Sequence, residues 1–126
     1  MKTAHELVLD AKKHINEISI DQAVQLIKEA DLLIDVREAD EYLSGHIPGA
    51  VNFSRGMLEF KLSSQEIYKN PNLNIVLYCK TSGRSALCAA AIKSMGYKNV
   101  SSILGGMDEW VAAGKPIEQP KTTSFE

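Results

Sequence analysis

Cysteine is scarce in this chain: Cys79 and Cys88 are the only two among 126 residues. So small a set, unevenly placed, excludes a disulfide framework and suits a reducing compartment. Long hydrophobic runs are missing as well. No stretch approaches the roughly 18 apolar residues of a membrane-spanning helix. The first ten residues include Lys2, His5, Glu6 and Asp10 and do not read as a secretory signal. These features predict a cytoplasmic protein with no membrane partner. Charge of one sign is not in excess either. The formal net charge of −2 gives no sign of nucleic-acid binding. Repeats, low-complexity segments and a second domain are absent, and the length fits one domain. What is present is an ordinary 44% of hydrophobic residues. A chain of this size can bury a real core without staples.

The spacing of apolar residues sets out the elements. Ala4, Leu7, Val8, Ala11 and Ile15 predict an amphipathic helix over residues 3–14 that packs on the domain, with His5 and His14 solvated. A short strand is expected at Ile18–Ile20, with Asp21 as N-cap of a helix over Gln22–Glu29. Further strands are expected at Leu32–Val36, Ala50–Phe53, Ile75–Cys79 and Val100–Leu104. Helices are expected at Ala39–Leu43, Gly56–Leu62 with turns continuing toward Tyr68, Arg84–Met95 and Met107–Ala113. Alternating strands and helices of this length predict an α/β fold, a parallel sheet flanked by helices on both faces, with an extra N-terminal helix. The division is residues 1–15 for the N-terminal helix, 16–117 for the domain and 118–126 for a polar, frayed tail.

The chemistry concentrates in Tyr78-Cys79-Lys80-Thr81-Ser82-Gly83-Arg84-Ser85, which follows the apolar run Ile75-Val76-Leu77 and precedes a helix. Cysteine is commonly a small buried hydrophobe. Cys79 instead stands where an apolar run stops, in a loop of small and cationic residues. In an open α/β sheet, ligands bind outside the carboxyl ends of strands. Loop N–H groups and a helix N-terminus converge there on one point, and Lys80 and Arg84 add positive charge. Such surroundings lower a thiol pKa and make it nucleophilic, provided the loop stays open to water. Cys88, nine positions on among apolar neighbours, reads as an inert core thiol. Asp35 and Arg37 end a strand on the same rim and are expected to support the site from behind. Arg55, Met57 and Leu58 are candidates for its mouth, and Gly105-Gly106 for a turn that leaves room for substrate.

The loop resembles the active loop of the rhodanese family of sulfurtransferases. That pattern runs cysteine, two variable residues, a small residue, another variable residue and Arg-Ser; Ser82 stands where glycine is usual. Leu32-Leu33-Ile34-Asp35-Val36-Arg37-Glu38, Glu41-Tyr42, Gly45-His46-Ile47-Pro48-Gly49-Ala50-Val51-Asn52 and Leu104-Gly105-Gly106-Met107-Asp108-Glu109-Trp110 resemble further family motifs in the expected order. The resemblance covers Ile18 to Ile117. It implies a rhodanese-like fold and a thiosulfate-type sulfurtransferase. Cys79 would carry a persulfide, and Lys80, Thr81, Ser82, Gly83, Arg84 and Ser85 would bind the substrate. It also implies a support network around Asp35 and Arg37, extending to Glu41, and a structural role for His46.

The implied partners are a small-molecule sulfur donor, a thiol or cyanide acceptor and, alternatively, a protein that exchanges sulfur with Cys79. No metal site and no cofactor is called for. Lys80 beside the nucleophile favours a dianionic donor over a carboxylate donor such as mercaptopyruvate. Phosphatases and arsenate reductases on the related fold place five residues between cysteine and arginine. This chain has four, Lys80 to Gly83, a loop too tight for a phosphoryl group.

Overall fold

The computed structural model describes residues 1–120. Its elements follow the chain as α1 (Ala4–Lys12), β1 (Asn16–Ile18), α2 (Ile20–Glu29), β2 (Leu32–Asp35), α3 (Ala39–Ser44), β3 (Val51–Asn52), α4 (Leu58–Ser63), a 3₁₀ turn (Glu66–Tyr68), β4 (Asn74–Tyr78), α5 (Gly83–Ser94), β5 (Asn99–Ile103) and α6 (Gly106–Ala112). The strands form one parallel sheet in the order β1-β5-β4-β2-β3.

Alternation along the central strands divides the core between the two faces. Leu32, Ile34, Ile75 and Leu77 pack on one face with Leu58 and Leu62 of α4 and Cys88, Ala89 and Ile92 of α5. Leu33, Val76 and Tyr78 pack on the other with Ala23 of α2, Met107 and Trp110 of α6, and the half-buried Tyr42 of α3. α1 lies against α5, where a Val8 methyl approaches the Cα side of Gly83. Helices therefore cover both faces, as the sequence predicts.

The first strand differs from its expectation. β1 is Asn16–Ile18, and Ser19 rather than Asp21 caps α2. The Ser19 hydroxyl accepts the Gln22 N–H, and the Gln22 side chain accepts the Ser19 N–H. This reciprocal box satisfies two of the helix's orphan donors, which a cap at Asp21 could not do from inside the first turn. β4 and α5 also shift slightly, so that Cys79 lies one residue past its strand and Gly83 opens the helix. Glu118, expected to begin a frayed tail, instead exchanges two backbone hydrogen bonds of 2.9 Å with His46. The rest of that expectation, from residue 121 on, lies outside the described residues. No helix among the described residues is long and apolar enough to cross a membrane.

Tyr78 joins the sheet to the long connection between α3 and β3. Its ring is fully buried, and its hydroxyl accepts the Ile47 N–H at 3.0 Å. Burial and the neighbouring Asp35 both raise the pKa of that hydroxyl, so it stays neutral. A Tyr78→Phe substitution keeps the ring and strands a buried donor, which should cost about 1–3 kcal/mol. Urea denaturation should show a lower midpoint with an unchanged m-value.

Candidate active site

The carboxyl ends of β2, β3, β4 and β5 share one rim, and the residues singled out above meet there. Val36 donates its N–H to the Tyr78 carbonyl, and Phe53 and Arg55 donate theirs to Asp35 and Val36. The loop after β4 is held from below by α6. Met107 N–H donates to the Cys79 carbonyl at 2.9 Å, and Asp108 N–H to the Lys80 carbonyl at 3.0 Å. Gly106 permits this approach. A Cβ there would lie 2.4, 2.6 and 2.8 Å from the carbonyl oxygens of Cys79, Thr81 and Lys80, and its φ is +53°. Only glycine tolerates both conditions.

A trans peptide points its C=O and N–H in opposite directions. With the carbonyls of Cys79, Lys80 and Thr81 turned toward α6, the N–H groups of Lys80, Thr81 and Ser82 face the other side. The first turn of α5 adds the N–H groups of Gly83, Arg84 and Ser85. Among the described residues, none of these N–H groups, from Lys80 through Ser85, finds an acceptor; the first that does is Ala86, bonded to the Ser82 carbonyl. A run of unpaired donors at the start of a twelve-residue helix is a nest for an anion.

Cys79 itself departs from expectation. A loop open to water would expose the thiol, but Cys79 is only 1% exposed and sits in the core cluster with Val36, Leu58 and Cys88. The chain turns at the end of β4 so that the side chain continues the inward face of Ile75 and Leu77. The thiol donates to Ser85 Oγ at 3.5 Å. Ser85 Oγ in turn donates to the Ser82 carbonyl at 3.2 Å and accepts from Ser102 Oγ at 2.8 Å. Ser102 is fully buried on β5 and was not singled out from the sequence. The signal was present: a serine where strand alternation calls for an inward apolar residue.

The cations around the loop are engaged. Arg84 makes a two-pronged pair with Glu41, Nη1 to Oε1 at 2.7 Å and Nη2 to Oε2 at 3.0 Å. Hydrogen bonding to Arg84 lowers the Glu41 pKa to about 2, against the opposing effect of burial. Lys80 points outward to Asp108 at 2.8 Å, with both side chains more than half exposed. The charge-based preference for a dianionic donor therefore finds no support in the direction of Lys80. Thr81 and Gly83 contribute backbone, and the Ser82 hydroxyl accepts from Lys12 Nζ at 2.9 Å.

Asp35 and Arg37 are buried together behind the rim. The Asp35 carboxylate accepts the Arg37 N–H at 2.9 Å and its guanidinium at 2.8–3.1 Å, and Arg37 also reaches the Gly45 carbonyl at 2.7 Å. Asn52 Nδ2 adds bonds to the Asp35 and Arg37 carbonyls. This fixes the end of β2 to the turn that leads into β3. His46 is 2% exposed and stacks on Tyr42 with ring centroids 3.8 Å apart. Cys88 is buried, and burial pushes its pKa up to about 12. A cavity of about 270 Å³ beside it is lined by Arg55, Gly56, Glu59, Leu87 and Ala91, whereas Leu58 is fully buried.

The fold and rim define an α/β protein built around a cysteine-bearing loop whose N–H groups are unpaired among the described residues. The chain belongs to the rhodanese-like family: the family model described as Rhodanese-like domain matches residues 19–113. It is 30% identical over 109 residues to a sulfurtransferase of Allochromatium vinosum, covering 85% of this chain and 98% of that one. The polysulfide-sulfur transferase homodimer of Wolinella succinogenes superposes with a TM-score of 0.75 at 31% identity, covering 92% of this chain and 87% of that chain. A Rhodopseudomonas palustris structure, described as of unknown function and a possible tyrosine phosphatase, gives 0.82 at 34% identity over 94% of this chain and 96% of that one. The chain spans about half (51%) of another curated relative, the candidate sulfur carrier protein YrkF of Bacillus subtilis, at 34% identity over 98 residues or 76% of this chain.

The Glu41–Arg84 pair makes stability depend on acid. Glu41 titrates near 2 in the folded chain against an ordinary 4.5. A depressed carboxylate pKa stabilises the fold above the unfolded value and loses that contribution as pH falls from about 4.5 toward 2. Glu41→Gln should lower stability at neutral pH and flatten its decline over that interval. Urea midpoints across a pH series measure both effects.

Proposed function

We propose that the protein transfers sulfane sulfur through a persulfide on Cys79. The observation that carries this reading is the run of unpaired N–H groups from Lys80 through Ser85 around the one loop that holds a thiol. With thiosulfate as donor, the Cys79 thiolate attacks the outer sulfur. The new S–S bond forms as the donor's S–S bond breaks, and sulfite leaves with the bonding pair. The anionic persulfide rests in the nest of N–H dipoles, which need not reorganise when charge moves onto the outer sulfur. A thiolate or cyanide then attacks that sulfur and regenerates the Cys79 thiolate, giving ping-pong kinetics. Ser85 is placed to donate to the sulfur in its charged form, exchanging its bond to the Ser82 carbonyl for one to Cys79.

Arg84 has a positioning role in this reading. Its fork holds Glu41, which ties the start of α5 to α3. Asp35 and Arg37 hold the neighbouring rim. A second reading, transfer of the same persulfide to or from a protein partner, draws support from the name of the Bacillus relative. Thiosulfate turnover separates the two. The phosphatase description of the Rhodopseudomonas relative does not suit this chain, whose loop has four residues between Cys79 and Arg84.

Incubation with thiosulfate followed by intact mass measurement tests the proposal. The expected result is a gain of one sulfur atom in the unaltered protein and in Cys88→Ser, and none in Cys79→Ser. Sulfur retained by folded Cys79→Ser would refute the assignment of the thiol.

Arg84→Ala should reduce kcat/KM for thiosulfate by about tenfold, the equivalent of about 1.4 kcal/mol, because the start of α5 that carries the N–H groups loses its tie to Glu41. Lys80→Ala should change it by less than about threefold, as expected for an exposed pair. Steady-state thiocyanate formation measures both, and equal losses would overturn the ranking.

A further inference from the structure

The serine at the head of α5 behaves unlike those at the heads of the other helices with serine or threonine caps. Thr3 caps α1 and Ser19 caps α2, each from extended backbone (ψ 164° and 167°), and each hydroxyl accepts a backbone N–H from its helix. Serine at this position ordinarily does so. Ser82 occupies the same position on α5, yet it makes no side-chain cap bond and its ψ is −13°. Its hydroxyl is turned to Lys12 Nζ at 2.9 Å. That ammonium is also fixed by Glu17 Oε2 at 3.0 Å, and both side chains are only 22–23% exposed. Lys12 comes from α1, outside residues 19–113 matched by the family model.

We propose that Lys12 is a positioning residue for sulfur transfer: it draws the Ser82 hydroxyl away from α5 and so keeps the Arg84 and Ser85 N–H groups free for the sulfur anion. This rests on the reaction proposed above. The competition is direct. A capping serine takes the N–H of the second or third helical residue, which here are Arg84 and Ser85. Those are the donors that the nest offers to the persulfide. A self-capped Ser82 would occupy one of them and rotate the 82–83 peptide toward the extended form. Glycine at this position, usual in the family pattern, has no hydroxyl with which to compete. The chain that carries Ser82 also carries the lysine that restrains it.

A double-mutant cycle tests this. Lys12→Met keeps the packed stem and removes the donor. It should lower kcat/KM for persulfide formation from thiosulfate about fivefold, the equivalent of a typical N-cap bond of about 1 kcal/mol. Ser82→Ala is the reference background: in it the Lys12→Met change, giving the double variant, should alter kcat/KM by less than about twofold, because no hydroxyl remains to cap the helix. Lys12→Arg, which keeps a donor, should retain activity. An unaffected Lys12→Met overturns the proposal. So does a loss on Lys12→Met that is as large in the Ser82→Ala background as in the unaltered protein, which would mean that Lys12 acts through α1 packing or on the anion directly.

Hydrogen exchange gives a readout independent of turnover. The Arg84 or Ser85 amide should exchange more slowly in Lys12→Met than in the unaltered protein, and not in the double variant. Should the unaltered protein form no persulfide with thiosulfate, the reaction proposed above fails, while the exchange data still decide the role of Lys12. If Lys12→Met does not fold, Lys12→Leu, which also lacks a donor, serves in its place, with the same dependence on Ser82 required.

Discussion

The direction of three carbonyl groups governs this site. Those of Cys79, Lys80 and Thr81 converge on the start of α6, where Met107 and Asp108 N–H groups bind two of them and Gly106 leaves space for all three. The arrangement satisfies orphan donors of α6 and turns the loop's own donors away from it. Each end of the exchange supports the other. Without α6 the loop carbonyls would lose their partners, and without the loop the α6 N-terminus would need a capping side chain, which Gly105 does not supply. The geometry of the rim follows from this contact, because the loop joins β4 to α5 and both are anchored in the core.

Formal charge contributes less to the site than the composition of the loop suggests. Lys12, Lys80 and Arg84 lie around it, and each is paired with a carboxylate from another element: Glu17, Asp108 and Glu41. These pairs serve as ties between α1 and β1, between the loop and α6, and between α5 and α3. The anion-attracting field is left mainly to neutral N–H dipoles. Dipoles fixed by the fold need no counter-ion and lose little to salt screening when water is excluded. Asp35 and Arg37 repeat the pattern behind the rim, where complete burial makes a well-bonded pair necessary.

Much of this was legible in the sequence, for identifiable reasons. The strands β2, β4 and β5 are apolar runs that no amphipathic helix would produce, and the cysteine at the end of one of them marked the rim. The loop motif fixed the place of Arg84 and Ser85. What was misread rested on short or ambiguous signals. Ile18 and Ile20 alternate as a strand would, but Ser19 and Gln22 form a capping box that ends β1. That box was visible as serine followed three residues later by glutamine. The roles of Lys12 and of the pairing of Glu41 with Arg84 depend on contacts separated by tens of residues, which no local pattern encodes. The burial of Cys79 was missed because charged neighbours in sequence suggested an exposed loop, whereas both loop cations are bonded to carboxylates.

Burial of that thiol bears on which sulfur species the site suits. The persulfide of the reaction proposed above would divide two surroundings, an apolar core and a set of N–H donors, between two sulfur atoms. Its charge lies mainly on the outer sulfur, about 2 Å beyond Sγ, while the inner sulfur becomes an uncharged disulfide-like atom suited to apolar neighbours such as Val36 and Leu58. In the proposed reaction the core around Sγ and the donors from Lys80 through Ser85 would each meet the atom they match. On this argument the proposed persulfide suits the loop because its uncharged sulfur would meet apolar neighbours and its charged sulfur the unpaired N–H groups.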